Sequence, residues 1–181
     1  MNYAAIRRTL GVILKFEAVF LLLPCITALI YGEKEGLWFL AVAAGSFIVG
    51  LLASRKPIDQ DFFSKEGFIM VALSWIIMSL VGALPFTLCG DIPNYIDAFF
   101  ETVSGFTTTG ASILTDVEAL SHTSLIWRSF THWIGGMGVF VLILAVLPTN
   151  GGYNMHLMRA ESPGPNVGKL VPKMKKTASI L

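Results

Sequence analysis

Two adjoining segments decide the architecture: NYIDAFFETVSGF, residues 94–106, and TTTGAS, residues 107–112. The first is moderately apolar, with Asp97 and Glu101 one turn apart on the same side. At ~1.5 Å per residue a helix over 94–106 is about 20 Å long, too short to cross a bilayer. It can enter and stop halfway. Three threonines and a glycine disfavour helix and suit an extended strip, so the second segment is where it stops. Irregular backbone is tolerated at membrane depth only where it is buried in protein or lines a watery path. The carbonyls of such a strip can replace the water around a cation, and the short helix aims its negative C-terminal end at that ion. Gly110 can take backbone angles closed to other residues, letting carbonyls point inward, and threonine hydroxyls can brace the strip. Taken alone, Thr-Thr-Thr-Gly also fits a turn after a helix. The order of elements around it carries the reading.

Outward from there, four apolar stretches approach or exceed the ~17–25 residues of a membrane-spanning helix. They are roughly 10–31, 37–53, 67–88 and 124–148. Lys15 and Glu17 fall in the opening turns of the first, where long side chains can snorkel to the interface. They also interrupt the run that Arg7 and Arg8 open, and no A-x-A site follows, so an uncleaved span is expected rather than a signal peptide. The third stretch ends at Gly82-Ala83-Leu84-Pro85-Phe86, where proline permits a break. Pro93 then opens the short helix, with Asp91 or Asn94 near its positive end. Ser46, Gly50 and Ser54 line one side of the second stretch as a packing surface, and Gly135, Gly136 and Gly138 predict a bend or a very close neighbour in the fourth.

Composition agrees. Of 181 residues, 54% are hydrophobic and 14% charged, against ~25% charged in soluble domains. Net charge is +1 and there are two cysteines. A soluble domain, a disulfide scaffold and nucleic-acid binding are disfavoured on these grounds. Basic residues orient the chain. Arg7, Arg8, Lys15, Arg55, Lys56, Lys65, Arg159, Lys169, Lys173, Lys175 and Lys176 lie on one side, against Lys34 and Arg128 on the other. Both termini are therefore expected in the cytoplasm. Tyr31, Trp38, Tyr95 and Trp127 are expected near the outer interface, and Trp75 in packing. Asp91, Asp97, Glu101, Asp116 and Glu118 face a single base, Arg128, between 89 and 128, and such a surplus attracts cations to a mouth. The plainer reading is ordinary loop acids.

Other functions compete less well. A membrane enzyme would use His122, His132 and His156, whose spacings fit no zinc signature. His132 reads as a hydrogen-bonded structural residue. No nucleophile–base pair, phosphate loop or dinucleotide fingerprint is visible. A non-conducting assembly or regulatory piece remains open, since one strip leaves a cation underliganded. The tail 149–181 reads as a cytoplasmic connector, with lipid headgroup contact as the functional alternative.

Residues 82–86, Phe99-Phe100-Glu101, Ser104 to Ala111, and His132-Trp133-Ile134-Gly135-Gly136-Met137-Gly138 strongly resemble the Trk/Ktr/HKT superfamily of potassium transporters. The match is best to the membrane subunits of bacterial Trk systems. It runs over essentially the whole chain, including Arg159 to Gly164.

The resemblance implies an all-α polytopic membrane protein. Two accessory transmembrane helices (1–66) precede one helix–pore-helix–filter–helix repeat (67–148) and a connector (149–181). It implies potassium held by backbone oxygens of Thr107, Thr108, Thr109 and Gly110, chiefly Thr108 and Thr109. Potassium is the transported ion, and no organic cofactor is implied. The implied partners are membrane lipid, a TrkA-like cytoplasmic nucleotide-binding subunit and a second copy of the full-length subunit. The implied location is the bacterial inner membrane, and no enzymatic activity is implied. The family fold has four repeats and this chain has one. Ala178-Ser179-Ile180-Leu181 reads as the start of a further span, so a piece of a longer subunit is expected, with a homotetramer as the rival.

Overall fold

The computed structural model describes residues 3–55 and 64–138, and every regular element among them is helical. The chain runs α1 (Tyr3–Phe20), α2 (Leu22–Tyr31), α3 (Gly36–Ser54), α4 (Ser64–Cys89), α5 (Tyr95–Phe106) and α6 (His122–Met137). Three segments among the described residues are long and apolar enough to cross a membrane: Tyr3–Tyr31, Gly36–Ser54 and Gly67–Cys89. The second half of the expected fourth span (139–148), the connector 149–181 with its basic residues and His156, and the loop at Lys56 lie outside the described residues.

The first span differs from expectation at its start. It is helical from Tyr3, and only Leu21 separates α1 from α2. Pro24 in the first turn of α2 removes the donor that the Phe20 carbonyl would use. Lys15 and Glu17 therefore sit in the middle of the Tyr3–Tyr31 segment, not in its opening turns. Glu17 is fully buried, with neither carboxyl oxygen hydrogen-bonded among the described residues. It faces Gly82 of α4. An unpaired carboxylate there would be costly.

The small residues of α3 form a seam with α1, as expected. A side chain on Gly11 would press on Ala53 Cβ and Gly50 O, both at 2.8 Å, and one on Gly50 would meet Gly11 O at 2.6 Å. Such close backbones gain dispersion contacts that bulkier residues would prevent. Phe39 of α3 meets Phe86 of α4 edge-on at 6.4 Å, joining the accessory pair to the repeat.

Pro85 does not end α4. The helix continues through it to Cys89. Proline leaves the Val81 carbonyl without its intrahelical donor. The carbonyls around that gap take side-chain donors from neighbouring helices. Thr102 Oγ1 donates to Ser79 O at 2.9 Å, Tyr95 Oη to Leu80 O at 2.8 Å, and Trp127 Nε1 to Gly82 O at 2.9 Å. Neighbouring side chains are how a membrane helix tolerates an internal proline.

On the side where α2 ends and α6 begins, Glu33 clamps the accessory pair to the repeat. Its Oε1 accepts from the His122 amide at 2.9 Å and from His122 Nδ1 at 2.8 Å. Its Oε2 accepts from the Thr123 amide at 2.9 Å and the Thr123 hydroxyl at 2.5 Å. Two otherwise orphaned amides at the positive end of α6 are thereby satisfied. Tyr31 stacks on the His122 ring at 4.1 Å. Burial alone pushes the Glu33 carboxyl up, but hydrogen bonds from the Thr123 hydroxyl and amide and from His122 outweigh it and lower it from 4.5 to about 2.

A carboxyl lowered on folding contributes stability above its unfolded value and loses it as the pH falls through the folded value. The detergent-solubilised chain should therefore lose thermal stability as the pH drops from 4.5 toward 2. Glu33→Gln should lower the unfolding midpoint at neutral pH and flatten that acid limb. An unchanged limb in the variant would assign the acid sensitivity elsewhere.

Candidate functional site

The site is built on α5, which starts where Asn94 caps it: the Asn94 side chain accepts from the Ile96 amide at 3.0 Å. The capping residue is thus Asn94, while Asp91 accepts from the Ser121 hydroxyl at 2.5 Å. One face of α5 is tied to α4 through Tyr95 and Thr102, as above. The other meets α6 almost backbone to backbone. A side chain on Gly105 would collide with the Thr131 hydroxyl, and one on Gly135 with the Phe106 carbonyl. The dense glycines of α6 thus serve a close neighbour. Gly138, with φ +73°, ends α6 at Met137, because a left-handed residue cannot continue an α-helix. The remainder of the expected span, 139–148, lies outside the described residues. Trp127 is fully buried rather than at the interface, its ring edge-on to Phe106 at 6.5 Å. Trp75 also packs on Phe106, at 6.0 Å, as expected for a mid-span ring. His132 Nδ1 lies 3.0 Å from the Arg128 carbonyl, a structural hydrogen bond.

The four residues singled out for cation binding follow directly. The amides of Thr107, Thr108 and Thr109 bond back to the carbonyls of Val103, Gly105 and Ser104, each at 2.9 Å. The Thr107 hydroxyl donates to Val103 O at 2.7 Å and lies 2.7 Å from the Thr109 hydroxyl. The strip then turns outward. Gly110 has φ +75° with open space beside it, so its glycine is required by conformation rather than by crowding. Thr108 has φ +55°, uncommon for a β-branched residue. Nothing in the sequence announced that. Residues 107–112 are exposed. Among the described residues no hydrogen bond ends on the carbonyl oxygens of Thr107, Thr108, Thr109 or Gly110.

The returning limb is fastened to α5. Ser104 Oγ donates to Ala111 O at 2.6 Å. Glu101 Oε1 accepts from Ser112 Oγ at 2.6 Å and from the Ile113 amide at 2.7 Å. Arg128 Nε of α6 donates to Glu101 Oε2 at 3.0 Å. Glu101 is 1% exposed, so it does not belong to an acidic mouth. The physical reason is its partner: the single base of the stretch is folded onto it. Asp116 and Glu118 stay exposed, and Asp116 caps the Glu118 amide at 3.1 Å. That one base stood against five acids was the signal available for Glu101.

The family profile described as TrkH, cation transport protein, matches residues 38–181. The chain is 39% identical over its whole length to the Trk system potassium uptake protein TrkH of Escherichia coli K12, and spans 38% of that relative. It is 35% identical over 94% of its length to the Trk system potassium uptake protein TrkG of the same organism, of which it covers 36%. The crystal structure of the potassium transporter TrkH from Vibrio parahaemolyticus superposes on 99% of the chain with a TM-score of 0.75 and 31% identity. The chain corresponds to 36% of that structure.

The α5–α6 seam makes a differential prediction. Gly135→Ala should destabilise the fold by ~1–3 kcal/mol, because the Phe106 carbonyl cannot move aside. Gly136→Ala, with nothing within 4 Å of the added carbon, should be neutral or slightly stabilising through helix propensity. Thermal unfolding of both variants in detergent checks the contrast, and equal midpoints would refute it.

Proposed function

This chain belongs to the TrkH family of cation transport proteins, and we propose that it supplies one quarter of a potassium filter in a multi-pass membrane protein. The observation that carries the reading is the row of unbonded carbonyls at Thr107, Thr108, Thr109 and Gly110. They lie on an exposed strip in which the amides of Thr107, Thr108 and Thr109 and the hydroxyls of Thr107 and Thr109 are already engaged. Carbonyl dipoles held in advance can take the place of an ion's water shell. Thr108 and Thr109 stand in the middle of the row and are the chief ligands in this proposal. The C-terminal end of α5 adds its negative partial charge nearby.

Four such strips close around an ion, and one does not. The chain spans 38% of its TrkH relative in Escherichia coli, which accommodates one repeat and the accessory pair. The segment 67–148 is the repeat, and 1–66 the pair. In this reading the chain lies in a bacterial inner membrane with its basic loops and both termini cytoplasmic. On that face it meets a TrkA-like nucleotide-binding subunit, and the complete subunit pairs with a second copy. Potassium is the cargo, and no organic cofactor enters the proposal. The relatives carry the names of cation transport and potassium uptake proteins rather than enzymes.

The test uses the complete gene product in bacteria lacking potassium uptake. Gly110→Val forces a β-branched residue toward φ +75°. Left-handed strain of ~1–3 kcal/mol should cut potassium uptake or potassium-over-sodium preference about tenfold. Unchanged uptake and preference, at matched membrane levels, would remove the strip from the ion path.

A further inference from the structure

We infer that Glu101 is a positioning residue for the strip: its carboxylate fixes the spacing of the ion-facing carbonyls and so sets which cation the strip prefers. The inference rests on reading residues 107–110 as an ion path, and its test separates the two.

One carboxylate joins three elements. Oε1 holds Ser112 and Ile113 on the returning limb, and Oε2 holds Arg128 on α6, while the residue itself belongs to α5. Buried charge survives only where it is fully paired, and breaking one side of such a pair is strongly unfavourable. Hydrogen bonds to an ionised acceptor are also stronger than neutral ones. The returning limb is therefore held more firmly than a loop of Ala111-Ser112-Ile113 would be by backbone alone. Ser104 supports it by taking the Ala111 carbonyl at 2.6 Å, which ends the free row at Gly110.

The strip is thus tethered on both sides of the free carbonyls. On the incoming side the amides of Thr107 to Thr109 are bonded to α5, and on the outgoing side Glu101 and Ser104 hold residues 111–113. Carbonyl dipoles converging on one ion repel each other. A loosened outgoing limb lets them spread, and a strip that can spread accommodates cations of different size. Arg128 neutralises Glu101, so the pair acts through position and adds little field of its own. Glu101 does not touch the ion path; it works through Ser112 and Ile113.

The test is ion preference, not transport alone. Ser112→Ala removes one tether and leaves every charge in place. Glu101→Gln weakens both sides. In the complete gene product, expressed in potassium-uptake-deficient bacteria, potassium and sodium uptake are measured at matched membrane levels. Ser112→Ala should lower the potassium-to-sodium ratio about fivefold, the scale of one lost hydrogen bond. Glu101→Gln should lower it further. Should Glu101→Gln not reach the membrane, Ser112→Ala decides alone. A fall in total uptake with an unchanged ratio would make Glu101 merely structural and overturn the inference, while the transport reading stands. No potassium uptake by the unaltered protein would overturn both.

Discussion

Backbone amides and carbonyls at membrane depth have no water to turn to, so each must find a protein partner or a purpose. Much of this chain's side-chain chemistry answers that constraint. Around Pro85, two helices contribute donors to carbonyls of α4: a tyrosine and a threonine from α5 and a tryptophan from α6. Along the strip, carbonyls of α5 take the three threonine amides, Thr107 and Ser104 donate to the Val103 and Ala111 carbonyls, and Glu101 accepts from the Ile113 amide. Four consecutive carbonyls are left over, on one exposed edge. In a setting where unsatisfied backbone is costly, that contiguous row of free acceptors is what the proposed filter rests on.

The same constraint explains how the accessory helices attach. Lipid gives two helices little hydrophobic reason to associate, so contact must come from shape and polar bonds. Gly11 against Gly50 supplies the first, and Glu33 on the start of α6 the second. The first holds α1 to α3, and the second holds the α2–α3 connection to α6. Glu17 stands between them as an exception. It is a buried polar group that the described residues leave without a hydrogen bond.

Local signals in the sequence translated well. The short helix expected over 94–106 is observed at Tyr95–Phe106 with Asn94 as its cap, because capping and the threonine-rich stop are both properties of neighbouring residues. The seam of Ser46, Gly50 and Ser54 was legible for a similar reason: spacing alone puts small residues on one face. What failed depended on distant partners. Pro85 is an element breaker until Tyr95 and Trp127 arrive to bond the carbonyls on either side of the one it frees. Glu101 is one more acid at a mouth until Arg128, a full loop away, folds over it. Trp127 passes for an interfacial ring until its indole N–H finds the Gly82 carbonyl and the ring is buried between helices. Thr108 has its left-handed turn imposed by the three amide bonds around it, and no residue type encodes that.

The contact between α5 and α6 has a mechanical side. Where Gly105 and Gly135 bring one backbone against another, there are few side chains left to change rotamer and take up a displacement. Packed interiors of this kind transmit load rather than absorb it. The half-helix and α6 therefore behave as one stiff bracket, with Arg128 and Glu101 as a cross-brace near the strip. Stiffness ends at Gly138, where φ turns to +73° and the helix stops. Within the bracket, a push on α6 is carried to the base of the strip through Arg128 and Glu101 instead of being lost between the two helices.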